Sequence, residues 1–194
     1  MDRREAILDA ALESFAATGG TAIEDVRRRS GASVGSIYHH FGGKEGIAAA
    51  LYVETLRSYQ EGVTRALRRA SGAEAGIEAL VRHHLRWVAR NPDRARFLLH
   101  AGALREAAGE ELEELNRALS TAVEEWIGER AEIRPLPREV FYATVIGPAQ
   151  EVSRLWLAGR IPSLRSLEDE LAAAAWRAVK WSGPAKTPGT GRSF

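Results

Sequence analysis

TAIEDVRRRSGASVGSIYHHFGGKEG, residues 21–46, reads as two short helices joined by a tight turn and followed by the start of a third. Thr21 stands where a hydroxyl caps a helix, and Glu24 three residues on completes a capping box. Ile23 and Val26 give that helix an inward side. Gly31 breaks it where a left-handed residue is cheap, and Ser33 is placed to cap the next helix, Val34 to His40. On that second helix Ile37 and Phe41 lie four apart and point to a core. Its other face carries Val34, Gly35, Ser36, Tyr38 and His39, which are small or flat and bear hydroxyl and imidazole groups. A solvated helix would carry Lys and Glu there. A small, hydrogen-bonding face suits the major groove, about 12 Å wide, which must admit backbone and side chains together.

Outward from this stretch the pattern stays helical. Residues 3–17 place Ile7, Ala10, Ala11, Ser14 and Phe15 on one face and close at Thr18-Gly19-Gly20. A long helix runs from Lys44 to Arg69, followed by helices over 73–90, 93–100, 104–129, 138–158 and 164–181. Breaks fall at Ser71-Gly72, Asn91-Pro92, Arg134-Pro135-Leu136-Pro137 and Gly159-Arg160-Ile161-Pro162. No alternating strand pattern competes. The expected fold is all-α with about nine helices: a three-helix head with a helix-turn-helix over residues 1–46, and a carboxy-terminal bundle over 47–181. Residues 182–194 are rich in Gly, Pro, Ser and Thr and are expected to form a flexible tail.

Composition narrows the function. The chain has 194 residues, 45% hydrophobic and 27% charged, with no cysteine and a formal net charge of +1. These are ordinary values for a globular protein, and the length allows a real core. No apolar run approaches the ~20 residues that cross a bilayer, and MDRREAILDA lacks the apolar segment of a secretion signal. The expected location is cytoplasmic, with no membrane partner. There is no Gly-rich phosphate loop, no H-E-x-x-H and no G-x-S-x-G, so neither an enzyme nor a cofactor is expected. His83 and His84 have no further ligating residues at helical spacing, so no metal is expected either. Within residues 21–46, Arg27, Arg28, Arg29 and Lys44 stand against Glu24, Asp25 and Glu45. Affinity for phosphate must therefore come from placement, not bulk charge. The arginine run admits two readings, a phosphate-facing patch or a solvated face paired with Glu24 and Asp25.

Thr21, Val26, Gly31, Ser33, Gly35, Ser36, Ile37, Tyr38, His40, Phe41, Lys44, Glu45 and Ile47 fall at a fixed, gapless spacing that resembles the DNA-binding region of TetR-family transcriptional regulators. With the preceding helix, the resemblance covers about the first quarter of the chain. Arg27 and Ser30 depart from small residues common in the family. Val34 stands where a polar or basic residue is usual; it can contact a thymine methyl but cannot hydrogen-bond. The resemblance implies that Ser33, Val34, Gly35 and Ser36 enter or border the groove, with His39 beside them. It further implies that Tyr38, Lys44 and Thr21 contact phosphates of a double-stranded operator.

The last two helices carry apolar residues on more than one side. Together with the resemblance, this points to a homodimer built on Val145, Val152, Trp156, Leu164, Leu171 and Ala175. Two recognition helices related by a two-fold axis would read a palindrome. His84, Trp87, His100, Trp126, Phe141 and Tyr142 supply aromatic and polar material for a pocket between bundle helices, suited to an unidentified small-molecule effector. Each, taken singly, fits core packing as well. The expected function is a repressor released from DNA by that effector. The alternative is a dimeric helical DNA-binding protein that answers to no effector.

Overall fold

The computed structural model of the chain describes residues 2–100 and 104–183, with only the backbone of residues 105 and 106. The expected tail therefore lies outside the described residues from position 184 onward. Helix α1 (Arg3–Thr18), α2 (Ile23–Ser30) and α3 (Val34–Phe41) follow one another through short turns. Gly31 and Gly42 end α2 and α3 at φ 65° and 70°. Their N–H groups donate to the carbonyls of Arg27 and Tyr38, a stop that needs a residue at ease in the left-handed region.

The start of α2 differs from expectation. Its N-cap is Ala22, without a side-chain cap, and Glu24 bonds Arg27 instead of turning back to the helix start. A guanidinium one turn ahead is a stronger partner for a carboxylate than a single backbone amide, so no capping box forms. Thr21 is 4% exposed.

The remaining helices are α4 (Lys44–Arg69), α5 (Ala73–Arg90), α6 (Pro92–His100), α7 (Leu104–Gly128), α8 (Arg138–Val145), α9 (Gly147–Leu157) and α10 (Glu168–Val179). One helix was expected over 138–158, and the structure has two. Pro148 has no N–H to give the carbonyl of Thr144, and its ring would crowd that carbonyl. The chain turns at Ile146, φ −101°. In α7 the backbone leaves helical geometry at Gly109, φ 50° and ψ −138°. The last helix begins later than expected: Arg165–Leu167 form a single 3-10 turn, and Glu168, Asp169 and Glu170 then occupy the first turn of α10. There negative side chains meet unpaired backbone N–H groups.

The chain forms two compact units. Among the described residues, the first comprises 2–58, 91–100 and 104–117, and the second 59–90 and 118–183. In the first, α1, α2, α3 and the start of α4 enclose Ile7, Ala11, Val26, Ile37, Ile47 and Leu51. Phe97 from α6 joins that core, its ring edge-on to Phe15 at 5.0 Å. Burying six such side chains contributes on the order of 10 kcal/mol before entropy is charged against it.

In the second unit α5 lies against α10, α8 and α9. Arg86 donates to Glu168 at 2.5 Å, and Arg82 reaches Asp169 at 3.1 Å, pinning the start of α10 to α5. After α10 the chain is extended. Trp181 N–H donates to the Glu132 carbonyl at 2.7 Å, and Ile133 and Lys180 form one antiparallel bridge.

Candidate functional site

α3 presents the face that its residue types imply. Ile37 is fully buried beneath it, whereas Val34 is 44% and Tyr38 52% exposed. Ser33, Gly35 and His39 are exposed as well, and Ser36 is half-buried. Ser33 caps the helix as expected: its Oγ accepts from the Ser36 N–H at 3.1 Å. The Tyr38 ring leans over the turn into α4, with Cε1 3.8 Å from where a Cβ on Gly43 would sit. That places the ring beside the helix start at Lys44, which is exposed. Thr21, in contrast, is largely covered, at 4% exposed.

The arginine run takes the second of its two readings. Arg27 pairs with Glu24 at 2.6 Å, Arg29 with Asp25 at 2.7 Å, and Arg28 with Asp25. The guanidinium groups of Arg29 and Arg28 hold the Asp25 carboxyl far below the usual carboxylate range. Of the arginines and lysines within residues 2–46, only Arg3, Arg4 and Lys44 have no carboxylate partner among the described residues.

The second unit contains a buried polar–aromatic cluster. The Tyr59 hydroxyl lies 3.1 Å from Nδ1 of His84, and the Tyr59 ring meets His83 and Trp87, each with centroids 5.3 Å away. His83 Nε2 is 3.0 Å from the Tyr59 carbonyl. Burial, with the neighbouring His83, lowers the His84 pKa to about 4, so the ring is neutral at pH 7. Burial likewise raises the Tyr59 phenol well above its usual value. In this unit His84 Nε2, Trp126 Nε1 and Ser153 Oγ are buried with no hydrogen-bond partner among the described residues. For His84 one tautomer leaves fewer groups unsatisfied. If Tyr59 O–H donates to Nδ1, the proton sits on Nε2 and only that N–H lacks an acceptor.

Of the six residues expected to hold an effector, His84, Trp87, Trp126, Phe141 and Tyr142 belong to this unit. The first four are buried, and Tyr142 is exposed, accepting from Gln150 Nε2 at 2.5 Å. Trp126 packs on Gly76, with the Arg130 guanidinium 3.8 Å from its ring centroid. His100 belongs to the first unit, where its ring is 6.0 Å from that of Phe15. Tyr59 and Ser153 escaped the sequence reading, because a tyrosine at a core spacing and a lone serine carry no local signal.

Among the residues expected at a dimer interface, Val145 is 1% exposed, and Leu164 and Ala175 are also covered by their own chain. Val152, Trp156 and Leu171 are half-buried and still present apolar surface. No helix among the described residues is long and apolar enough to cross a membrane.

Comparison with known proteins adds four findings. A family model described as bacterial regulatory proteins, tetR family, matches residues 7–51. The chain is 32% identical over 81 residues to the HTH-type transcriptional regulator BetI of Agrobacterium fabrum, a stretch covering 41% of this chain and 39% of that protein. The chain thus spans about two fifths of the length of that curated relative. Its fold is similar to that of a TetR family transcription regulator from Marinobacter aquaeolei VT8, with a TM-score of 0.73, 17% identity and coverage of 92% and 95% of the two chains. It is also similar to that of FadR from Bacillus subtilis in complex with stearoyl-CoA, with a TM-score of 0.70, 19% identity and coverage of 90% and 98%. Likeness at such identity is a likeness of fold.

Proposed function

We propose that this chain, whose residues 7–51 match the model of the tetR family of bacterial regulatory proteins, is a sequence-specific repressor that binds a palindromic operator as a homodimer and leaves it on binding a small molecule. One observation carries the DNA-reading part: the exposed face of α3 bears Val34, Gly35, Tyr38 and His39 and no acidic or lysine side chain. A helix facing only water more often carries charged side chains on its outer face. In a major groove the valine meets a thymine methyl, the glycine permits close approach, and the histidine bonds a base edge. Tyr38 and Lys44 set the register on phosphates.

The effector would occupy the second unit near Tyr59, His84, Trp87 and Trp126. Support comes from the buried, unsatisfied Nε2 of His84, which suits an uncharged ligand bringing an oxygen acceptor. α4 supplies Lys44 to the first unit and Tyr59 to the second, so a ligand that moved Tyr59 would act on the helix that also bears a phosphate contact. Homodimerisation would use the half-buried apolar surface of Val152, Trp156 and Leu171, and supplies the two half-sites.

Selection of bound duplexes from a random pool, at a stated salt concentration, tests this function. A palindrome with two half-sites is the expected result. No enriched motif from folded protein would overturn it. The effector-independent alternative predicts that, with the operator in hand, no small molecule releases the protein.

A further inference from the structure

The positive charge that the head can offer DNA does not lie where its sequence concentrates it. Arg27, Arg28 and Arg29 are all engaged by Glu24 and Asp25 on their own helix, so part of their positive charge is already offset before a phosphate arrives. Farther along the first unit, Arg57 pairs with Glu111, Arg94 with Asp9 and Arg96 with Asp93. Arg4 is different. It is exposed, has no carboxylate partner among the described residues, and its guanidinium carbon lies 5.9 Å from the ring centroid of Phe41. Phe41 is the last residue of α3 and packs against the head core. Lys44, also without such a partner, opens α4 directly after the Gly42-Gly43 turn.

We propose that Arg4, from α1, adds a second prong to the phosphate contact of Lys44, making a clamp near the carboxy-terminal end of α3. The inference rests on the DNA-binding reading of the head. Phe41 orients that prong: the Arg4 guanidinium lies over its ring at the outer reach of a cation–π attraction, and its N–H groups stay free to donate to a phosphate oxygen. Arg3, exposed and likewise unpaired with any described carboxylate, adds to the field at the same helix start.

Counterion release tests it. On B-DNA the slope of log K against log salt has a magnitude of about 0.9 for each phosphate that the protein neutralises. The probe is a mixed-sequence duplex, with the full chain titrated across a range of salt concentrations. Arg4→Gln is expected to reduce that slope by about 0.9 per bound chain while melting with the parent, and Arg4→Lys is expected to restore most of it. Deleting the Glu24–Arg27 pair as a double alanine variant should leave the slope in place. A parent that binds and an Arg4→Gln slope equal to the parent's would overturn the clamp alone. A folded parent that fails to bind duplex DNA would overturn the DNA-binding reading and the clamp with it.

Discussion

The Tyr59 hydroxyl and Nδ1 of His84 stand 3.1 Å apart, and the imidazole's other nitrogen is buried without a partner among the described residues. Burial lowers the His84 pKa from 6.5 to about 4. As pH falls, the unfolded chain takes up this proton before the folded one does. Stability is therefore fully present above about pH 6.5 and declines as pH falls toward 4. Between pH 7 and pH 5 this residue should remove about 2 kcal/mol, read from urea midpoints. His84→Gln should flatten that dependence, with a remainder from His83, whose pKa burial also lowers. A parent equally stable at both values would refute the burial of a neutral imidazole.

Gly76 admits the Trp126 ring so closely that a Cβ would fall 2.0 Å from Cζ2. Gly76→Ala should destabilise the protein by about 1–3 kcal/mol through overpacking, measured by urea denaturation. Adding Trp126→Phe should recover part of the loss, since residues that touch are energetically coupled. Strict additivity of the two changes would count against this close approach.

Gly35 separates folding from function. A Cβ there would meet nothing nearer than Ser33 Oγ at 3.9 Å, and alanine favours a helix by up to about 1 kcal/mol over glycine. Gly35→Ala should thus melt no lower than the parent and yet bind duplex DNA more weakly. Unchanged affinity would show that α3 does not approach the bases at this position.

Val34 and Tyr38 should fail in different ways. Val34→Ala is expected to change the preferred base pair in each half-site. Tyr38→Phe should weaken all duplexes alike, by about 1 kcal/mol for the removal of one hydrogen bond. Parallel selections from a random pool decide between these patterns. An unaltered preferred site for Val34→Ala would remove that residue from base reading.

Leu171 and Val145 make a matched pair for assembly. Leu171→Glu places a charge on half-buried surface and should yield a folded monomer in sedimentation. Val145→Glu buries a charge within the chain and should cost several kcal/mol, unfolding the protein. A Leu171→Glu variant that sediments as the parent does would place the interface elsewhere.

The head was legible in sequence because its signals are local. Gly31 marks a helix end by a backbone preference, Ser33 marks a start by its hydroxyl, and Ile37 is placed by helical periodicity. The same local signals misplaced Thr21 and Glu24, since Arg27 competed for the carboxylate. They also carried a helix through Pro148, where apolar periodicity outweighed the missing amide.

The sequence by itself determined the all-α character, the turn between α2 and α3, and the kinds of side chain on α3. All of these follow from neighbours within four residues along the chain. The structure chose between the two readings of Arg27, Arg28 and Arg29, and only the tertiary structure brought Arg4 near the Phe41 ring. It alone brought Tyr59 to His84 and covered Val145, Leu164 and Ala175. Charge pairing and burial depend on distance in space, and residues far apart in the chain acquire that distance only when the helices pack.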